Sequence, residues 1–155
     1  MSVKAIPEGY HSVTPYLFVA GAAEAIRWYE NALGATEIFR LPMGDRIGHA
    51  EIRVGDSMVM LADEFPEMNK RGPLARGGPT GSLMIYLGDV DAAYRRAIEA
   101  GATEERAPED QFWGDRMGTL LDPFGHRWSL ATHVEDVSEE EMGRRMAQAF
   151  CAQPA

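Results

Sequence analysis

"GDRIGHAEI" (44–52) and "GDRMGTLLD" (114–122) share a Gly-Asp-Arg tripeptide, each time just ahead of an alternating, strand-like run. The match extends in both directions. Upstream, "AEAIRWYENALGATE" (23–37) lies over "DAAYRRAIEAGATE" (91–104), with Gly34 meeting Gly101. Both stretches describe an amphipathic helix closed by glycine and followed by a strand. Downstream, "SMVML" (57–61) answers "HRWSL" (126–130), each after a tight turn, "VGD" in one and "DPFG" in the other. Four ordered correspondences make an internal repeat, and each half runs strand, helix, strand, strand, strand.

The first half places strands near 13–19, 36–41, 46–54 and 57–62, with a helix near 22–33. The second places them near 82–87, 103–107, 115–121 and 126–132, with a helix near 89–100. The fold class is therefore α+β: two tandem βαβββ modules, at 10–62 and 82–134, forming a concave mixed sheet within one structural domain. The segment "DEFPEMNKRGPLARGGPTG" (63–81) joins them, and its Gly, Pro and charge content describes a linker or flap. At the end, "SEEE" offers a capping box from Ser138 to Glu141, opening a C-terminal helix at 137–150. Met142, Met146 and Phe150 share one face of that helix, a stripe suited to docking on the body or on a second subunit.

Composition narrows the function classes. A net charge of −9 with no Lys/Arg stripe argues against a nucleic-acid surface. No apolar run is long enough for a membrane span, and "MSVKAIPEGY" lacks the apolar middle of a signal peptide. The single cysteine, Cys151, has no partner for an internal disulfide. The expectation is a cytoplasmic protein without nucleic-acid or membrane partners.

Period-two alternation sorts residues by sheet face. Leu17, Val19, Ala50, Ile52, Val54, Val59, Leu61, Leu83, Ile85, Leu87, Trp128 and Leu130 fall on one uniformly apolar face, which the helices should cover. Tyr16, Phe18, His49, Glu51, Arg53, Met58, Met60, Met84, Tyr86, Arg127 and Ser129 fall on the other. A face that mixes aromatics, methionines, an imidazole and a carboxylate suits a concave small-molecule pocket.

Two βαβββ halves carrying "YLFV…AIRWYENALGA" and "DPFGHRWSLATH" resemble the vicinal oxygen chelate superfamily, which includes glyoxalase I, extradiol dioxygenases and bleomycin resistance proteins. "GYHSVTPYLFV", "HAEIRVGDSMVMLADEFPE" and "EDQFWGDRMGTLLDPFGHRWSLATHVEDVSEEE" are similar to its PhnB-type, glyoxalase-like branch. The resemblance implies a fold, a homodimer with pockets completed by a second subunit, and four metal-ligand positions. Those positions fall here on Thr14, Met60, Ser82 and Ser129, none of them an imidazole or carboxylate. A one-residue slip brings Val13, Pro15, Val59, Leu61, Gly81, Leu83, Trp128 or Leu130, which are no better. The expectation is no metal and no cofactor.

His49 and Glu51, two apart on one strand, are the candidate catalytic pair, since a His beside a carboxylate can move protons. Against this stands a structural role in which Glu51 pairs with Arg53 or Arg46. Tyr16, Phe18, Met58, Met60, Met84, Tyr86, Trp113, Arg127 and Ser129 are the candidate ligand-binding residues. Aromatics would stack on a planar group, methionines would give an adaptable wall, and Arg127 would take an anionic group. Phe112 fits an interface better, His126 and His133 fit structural or solvated roles, and Asp45 and Asp115 would pair with the arginines that follow them. The leading expectation is a metal-free binding protein for an apolar or aromatic ligand, with an acidic charge that would also suit a cation. The alternative is an enzyme using His49 and Glu51 for proton transfer or as ligands of a relocated metal. A third is a partner-binding module working through 63–81 or the last helix.

Overall fold

The computed structural model describes residues 2–152. Module one comprises β1 (Tyr16–Val19), α1 (Ala22–Leu33), β2 (Thr36–Met43), β3 (Arg46–Val54) and β4 (Ser57–Asp63). Module two comprises β5 (Ser82–Tyr86), α2 (Val90–Glu99), β6 (Thr103–Asp110), β7 (Asp115–Leu121) and β8 (Arg127–His133), and α3 (Glu139–Cys151) follows. The strands form two four-stranded sheets in the orders β1-β4-β3-β2 and β5-β8-β7-β6. In each, the first and last strands of the module pair in parallel and the others are antiparallel. No helix among the described residues is long and apolar enough to cross a membrane.

Prolines account for the boundaries that alternation misplaces. Pro15 has no N–H, so only its carbonyl joins the ladder, accepting from the Met60 N–H at 2.9 Å, and β1 begins at Tyr16 rather than at 13. Alternation also ends β2 before Pro42 and β6 before Pro108. Both strands continue through them, because β2 and β6 are sheet edges where a missing donor costs no ladder bond, and each carries register shifts.

Helix α1 buries Ala22, Ala25, Ile26, Tyr29 and Ala32, a stripe at helical spacing. It stops at Gly34, whose φ of 67° is left-handed and open to glycine at little cost. In α2, Asp89 caps the N-terminus by accepting from the Ala92 N–H, and Val90, Tyr94 and Ala97 are buried. Each helix lies on the apolar face of its own sheet, and the two helices touch each other. The Trp28 indole donates to the Ala100 carbonyl at 2.8 Å, and Arg96 donates to the Asn31 and Glu30 carbonyls at the end of α1. Leu17, Ile26, Tyr29, Ile52 and Leu61 thus share one core with Tyr94, Leu120, Trp128 and Leu130.

Inside that core sits one carboxylate. Asp122, 4% exposed, accepts from the Tyr29 hydroxyl at 2.7 Å, the Trp128 indole at 2.8 Å, and the backbone N–H groups of Phe124 and His126 at 2.9 Å each. Tyr29 comes from module one and the other donors from module two. Burial, then the charge of Asp122, pushes the Tyr29 hydroxyl well above its ordinary range, so it stays a donor.

Helix α3 has the expected cap, with the Ser138 hydroxyl accepting from the Glu141 N–H at 3.2 Å. Its attachment is polar rather than apolar. Arg145 donates to Glu135, Glu141 and the Phe112 carbonyl, while Met146 and Phe150 remain 47% and 64% exposed.

Replacing Asp122 with Ala strands four donors, three of them buried, and should lower the unfolding free energy by about 3–5 kcal/mol. Tyr29→Phe, which removes one donor and leaves the carboxylate three, should cost about 1–2 kcal/mol. Urea denaturation of both variants checks this; an Asp122→Ala chain within about 1 kcal/mol of the parent would mean that the carboxylate does not hold the modules together.

Candidate functional site

The face of each sheet away from the helices is open. On module one, strand register lines up Tyr16, Met60, Glu51 and Phe39 in one row across β1, β4, β3 and β2. His49 sits beside this row and is wired into it. The Tyr16 hydroxyl lies 2.9 Å from His49 Nδ1, and His49 Nε2 lies 3.2 Å from Glu51 Oε1. The Tyr10 hydroxyl donates to Glu51 Oε2. A carboxylate only accepts, so Nε2 donates to Glu51, and in the neutral imidazole Nδ1 then accepts from the Tyr16 O–H. Burial first, then Glu51, pushes the Tyr10 hydroxyl up to about 12, and burial also raises Tyr16, so both phenols hold their protons. The ring of Phe39 packs 5.7 Å from that of His49, and Tyr16 packs 5.4 Å from Phe18.

The matching row on module two is Met84, Ser129, Thr119 and Arg106. Beside it, Asp115 is 3% exposed and accepts from the Tyr86 hydroxyl at 2.8 Å, the Trp113 indole at 3.0 Å and His133 Nδ1 at 2.8 Å. The other nitrogen of His133 reaches Asp136 at 2.9 Å. Burial works to raise the Asp115 carboxyl, but its three donors outweigh it and the net displacement is downward. His133 moves up, chiefly through the hydrogen bond to Asp115 and then the one to Asp136.

The residues singled out from sequence therefore separate into groups. Tyr16, Phe18, Met60, His49 and Glu51 cluster on module one; Tyr86 and Trp113 meet at Asp115 on module two. Met58, Met84 and Tyr86 line a cleft of about 610 Å³ at the seam between the modules. Arg127 is engaged, its fork filled by Glu105 at 2.6 and 2.9 Å, and Ser129 is buried 3.4 Å from the Thr119 hydroxyl. Glu51 pairs with neither Arg53 nor Arg46 among the described residues, and Arg46 instead reaches Glu67 at 2.9 Å. The pairing expected within each Gly-Asp-Arg is also corrected. Neighbours on a strand point to opposite faces, so Asp115 turns to Tyr86 and His133 while Arg116 turns to Asp91 and Asp110.

The implied metal positions do not fit a metal. Thr14 precedes the β1 ladder, and Ser82 pairs with Arg127, one row away from Ser129. They offer hydroxyls and a thioether, poor donors for divalent ions. Among the described residues no three His, Cys, Asp or Glu side chains come together as a metal cluster.

Three contributors escape sequence reasoning. Tyr10 lies ahead of β1, outside any period that could aim it at Glu51. Phe39 sits where β2 shifts register between Glu37 and Phe39, so alternation loses its face. Sequence reasoning gives Asp115 to its neighbouring arginine, although its alternation with Met117 and Thr119 on β7 is the signal that it faces the open side.

A family model described as Glyoxalase/Bleomycin resistance protein/Dioxygenase superfamily matches residues 9–130. An uncharacterized protein of Mycobacterium bovis, Mb0911c, is 41% identical over 140 residues, covering 88% of this chain and 92% of that protein. Protein YjdN of Escherichia coli is 25% identical over 142 residues, covering 76% and 92%. Among solved structures, protein PA1353 from Pseudomonas aeruginosa aligns with a TM-score of 0.64 at 26% identity, over 81% of this chain and 99% of its own. TioX from Micromonospora sp. ML1 aligns at 0.62 with 22% identity, over 80% and 99%, a likeness of fold.

The Asp115–His133 pair gives a pH signature. His133 has its pKa raised above 6.5, so its contribution is complete below that value and fades as pH rises through the folded-state pKa. Asp115 is depressed below 3.8, so its contribution holds above that value and fades as pH falls. Melting temperature should therefore be highest between about pH 4 and 6.5 and decline toward pH 8, and His133→Ala should flatten the alkaline decline. An unchanged profile in the variant would show that the pair does not couple to folding.

Proposed function

Because the chain belongs to the glyoxalase/bleomycin resistance protein/dioxygenase superfamily, we propose that its open sheet faces bind a small apolar or aromatic ligand, without the four-ligand metal centre. The carrying observation is that large apolar side chains lie uncovered on these faces beside an ordered polar network. Tyr16, Phe39, Leu41, Met84 and Tyr86 are 40–61% exposed. Left in water they represent an unfavourable apolar surface, which a ligand and a second copy of the chain would remove. The proposal therefore includes a homodimer in which a second subunit completes the pocket, and a place in the PhnB-type branch. Phe18, Met58 and Met60 supply adaptable wall, Trp113 and Tyr86 supply stacking surface, and His49 with Glu51 forms the polar end.

One observation favours a second reading, an enzyme. The hydrogen-bond partners leave the Nδ1 lone pair of His49 facing the Tyr16 hydroxyl, with Glu51 holding Nε2–H. A substrate proton brought to the place of the Tyr16 hydroxyl would meet a base already oriented by a carboxylate. Proton transfer at a small carbonyl compound needs no more than this.

His49→Ala and Glu51→Ala separate the two. Weaker binding of an environment-sensitive aromatic probe such as anilinonaphthalene sulfonate, by about tenfold in either variant with no turnover found in the parent, supports the binding protein. Turnover of a small carbonyl compound that falls by about a hundredfold or more with probe affinity kept supports the enzyme. Elemental mass spectrometry on untagged protein purified without chelator should find no stoichiometric metal, and added divalent ions should leave the melting temperature unmoved; near-stoichiometric metal would sink the metal-free part of the proposal.

A further inference from the structure

We propose that the cavity beneath residues 71–81 is an oxyanion site, taking the carboxylate or phosphate of a small molecule through Arg71 and Arg76. The cavity measures about 340 Å³ and lies between Tyr16 and Phe18 of β1, the start of β5, His126 and the 71–81 segment. That volume accommodates a small organic anion. The inference goes beyond the apolar-ligand proposal and does not depend on it, since the cavity shares only Tyr16 with the His49–Glu51 network.

Local placement carries the argument. The chain holds 24 acidic and 15 basic residues. Several arginines are paired, Arg40 with Glu37, Arg116 with Asp91, Arg127 with Glu105 and Arg145 with Glu135. Arg53, Arg95 and Arg96, like Arg71 and Arg76, form no ion pair among the described residues, but Arg71 and Arg76 stand apart in lining one cavity together. The 63–81 segment has its own acids, but each is occupied. Asp63 accepts from the N–H groups of Gly21, Ala22 and Ile47 at 3.0, 2.8 and 2.7 Å. Glu64 accepts from the Gly72 N–H at 2.6 Å, and Glu67 takes Arg46 at 2.9 Å. Among the described residues no carboxylate comes within ion-pair distance of Lys70, Arg71 or Arg76. Arg127 also lines the cavity, but with Glu105 in its fork it contributes a neutral pair.

The Arg76 guanidinium is also oriented. Arg76 donates to the Asn69 side-chain oxygen at 2.7 Å and to its carbonyl at 3.4 Å, neutral acceptors that orient the group without cancelling its charge. Asn69 is the one non-glycine residue with positive φ among the described residues, at 57°, a conformation asparagine tolerates better than most. The segment itself is fixed to the body: a side chain at Gly72 would come within 2.6 Å of the Phe18 carbonyl, and one at Gly125 within 2.9 Å of Leu74. Two guanidiniums lining one cavity, on a pinned segment and with no carboxylate in the lining, suit an oxyanion.

The test is an NMR titration of the full chain with inorganic phosphate, and separately with acetate, at constant ionic strength set by sodium chloride. Both should give saturable shifts at the Arg71 and Arg76 side chains and the Gly78 and Gly81 amides, with phosphate the tighter. Arg71→Gln with Arg76→Gln should weaken phosphate by about tenfold or more, and Asn69→Gly, which keeps the backbone conformation and removes the orienting oxygen, by about threefold. His49→Ala should leave phosphate affinity unchanged. Shifts that chloride reproduces, affinity that survives the double substitution, or affinity that is lost with His49→Ala would each overturn the assignment.

Discussion

Everything in this fold hangs on how one buried carboxylate is satisfied. A charged oxygen pair at the centre of an apolar core is tolerable only when donors surround it, and Asp122 has four, one of them the Tyr29 hydroxyl from the other module. That bond fixes the rotation of α1 over the turn preceding β8, because Tyr29 must reach across while Trp128 comes from the strand below. Phe124 and Trp128 pack on the Tyr29 ring at 6.2 and 5.6 Å, so polar and aromatic contacts specify the same arrangement. Asp122 also begins the "DPFG" turn, and its hold on the Phe124 and His126 amides shapes the loop that carries His126 to the Phe18 carbonyl at 3.0 Å.

The helices are thereby committed to each other and to a single core, which leaves the opposite sheet faces turned outward. The consequence is functional: the residues that could bind a ligand lie on surfaces that one chain does not close. Among the described residues the Tyr16–His49–Glu51–Tyr10 network and the Tyr86–Trp113–Asp115–His133 network share no hydrogen bond. Each is ordered on its own module before any ligand arrives, which limits the entropy that binding must spend on them.

The architecture was legible in the sequence because a repeat is read by comparison rather than by propensity. Helix α1 and strands β3 and β7 fall at the expected residues, and the two-face sorting agrees with burial for Leu17, Val19, Ala50, Ile52, Leu61 and Leu130 but not for Met58 and Ser129, which are buried though sorted to the open face. Errors fall where a local rule depends on sheet position: Pro42 and Pro108 look like terminators until their strands are known to be edges. The site was half legible. His49 and Glu51 stand two apart on one strand, where period two suffices, but Tyr10 reaches Glu51 from 41 residues away. Even the shared tripeptide hides two reasons. Gly44 supplies a positive φ of 65° in an open turn, whereas any side chain at Gly114 would strike the Glu135 backbone.

Equivalent rows of the two modules show how the repeat has divided its labour. Tyr16, Met60, Glu51 and Phe39 correspond by register to Met84, Ser129, Thr119 and Arg106. Only one of these eight positions is a carboxylate, and it is hydrogen-bonded to an imidazole. A symmetric pair of modules could present ligands from both sides to one ion, but these rows cannot, since the second offers a thioether and two hydroxyls at the matching places. On module one His49 and Glu51 face the open side together, while on module two Asp115 is taken up by Tyr86, Trp113 and His133. A molecule held against both kinds of face would meet a polar end on one side and an apolar wall with hydroxyls on the other.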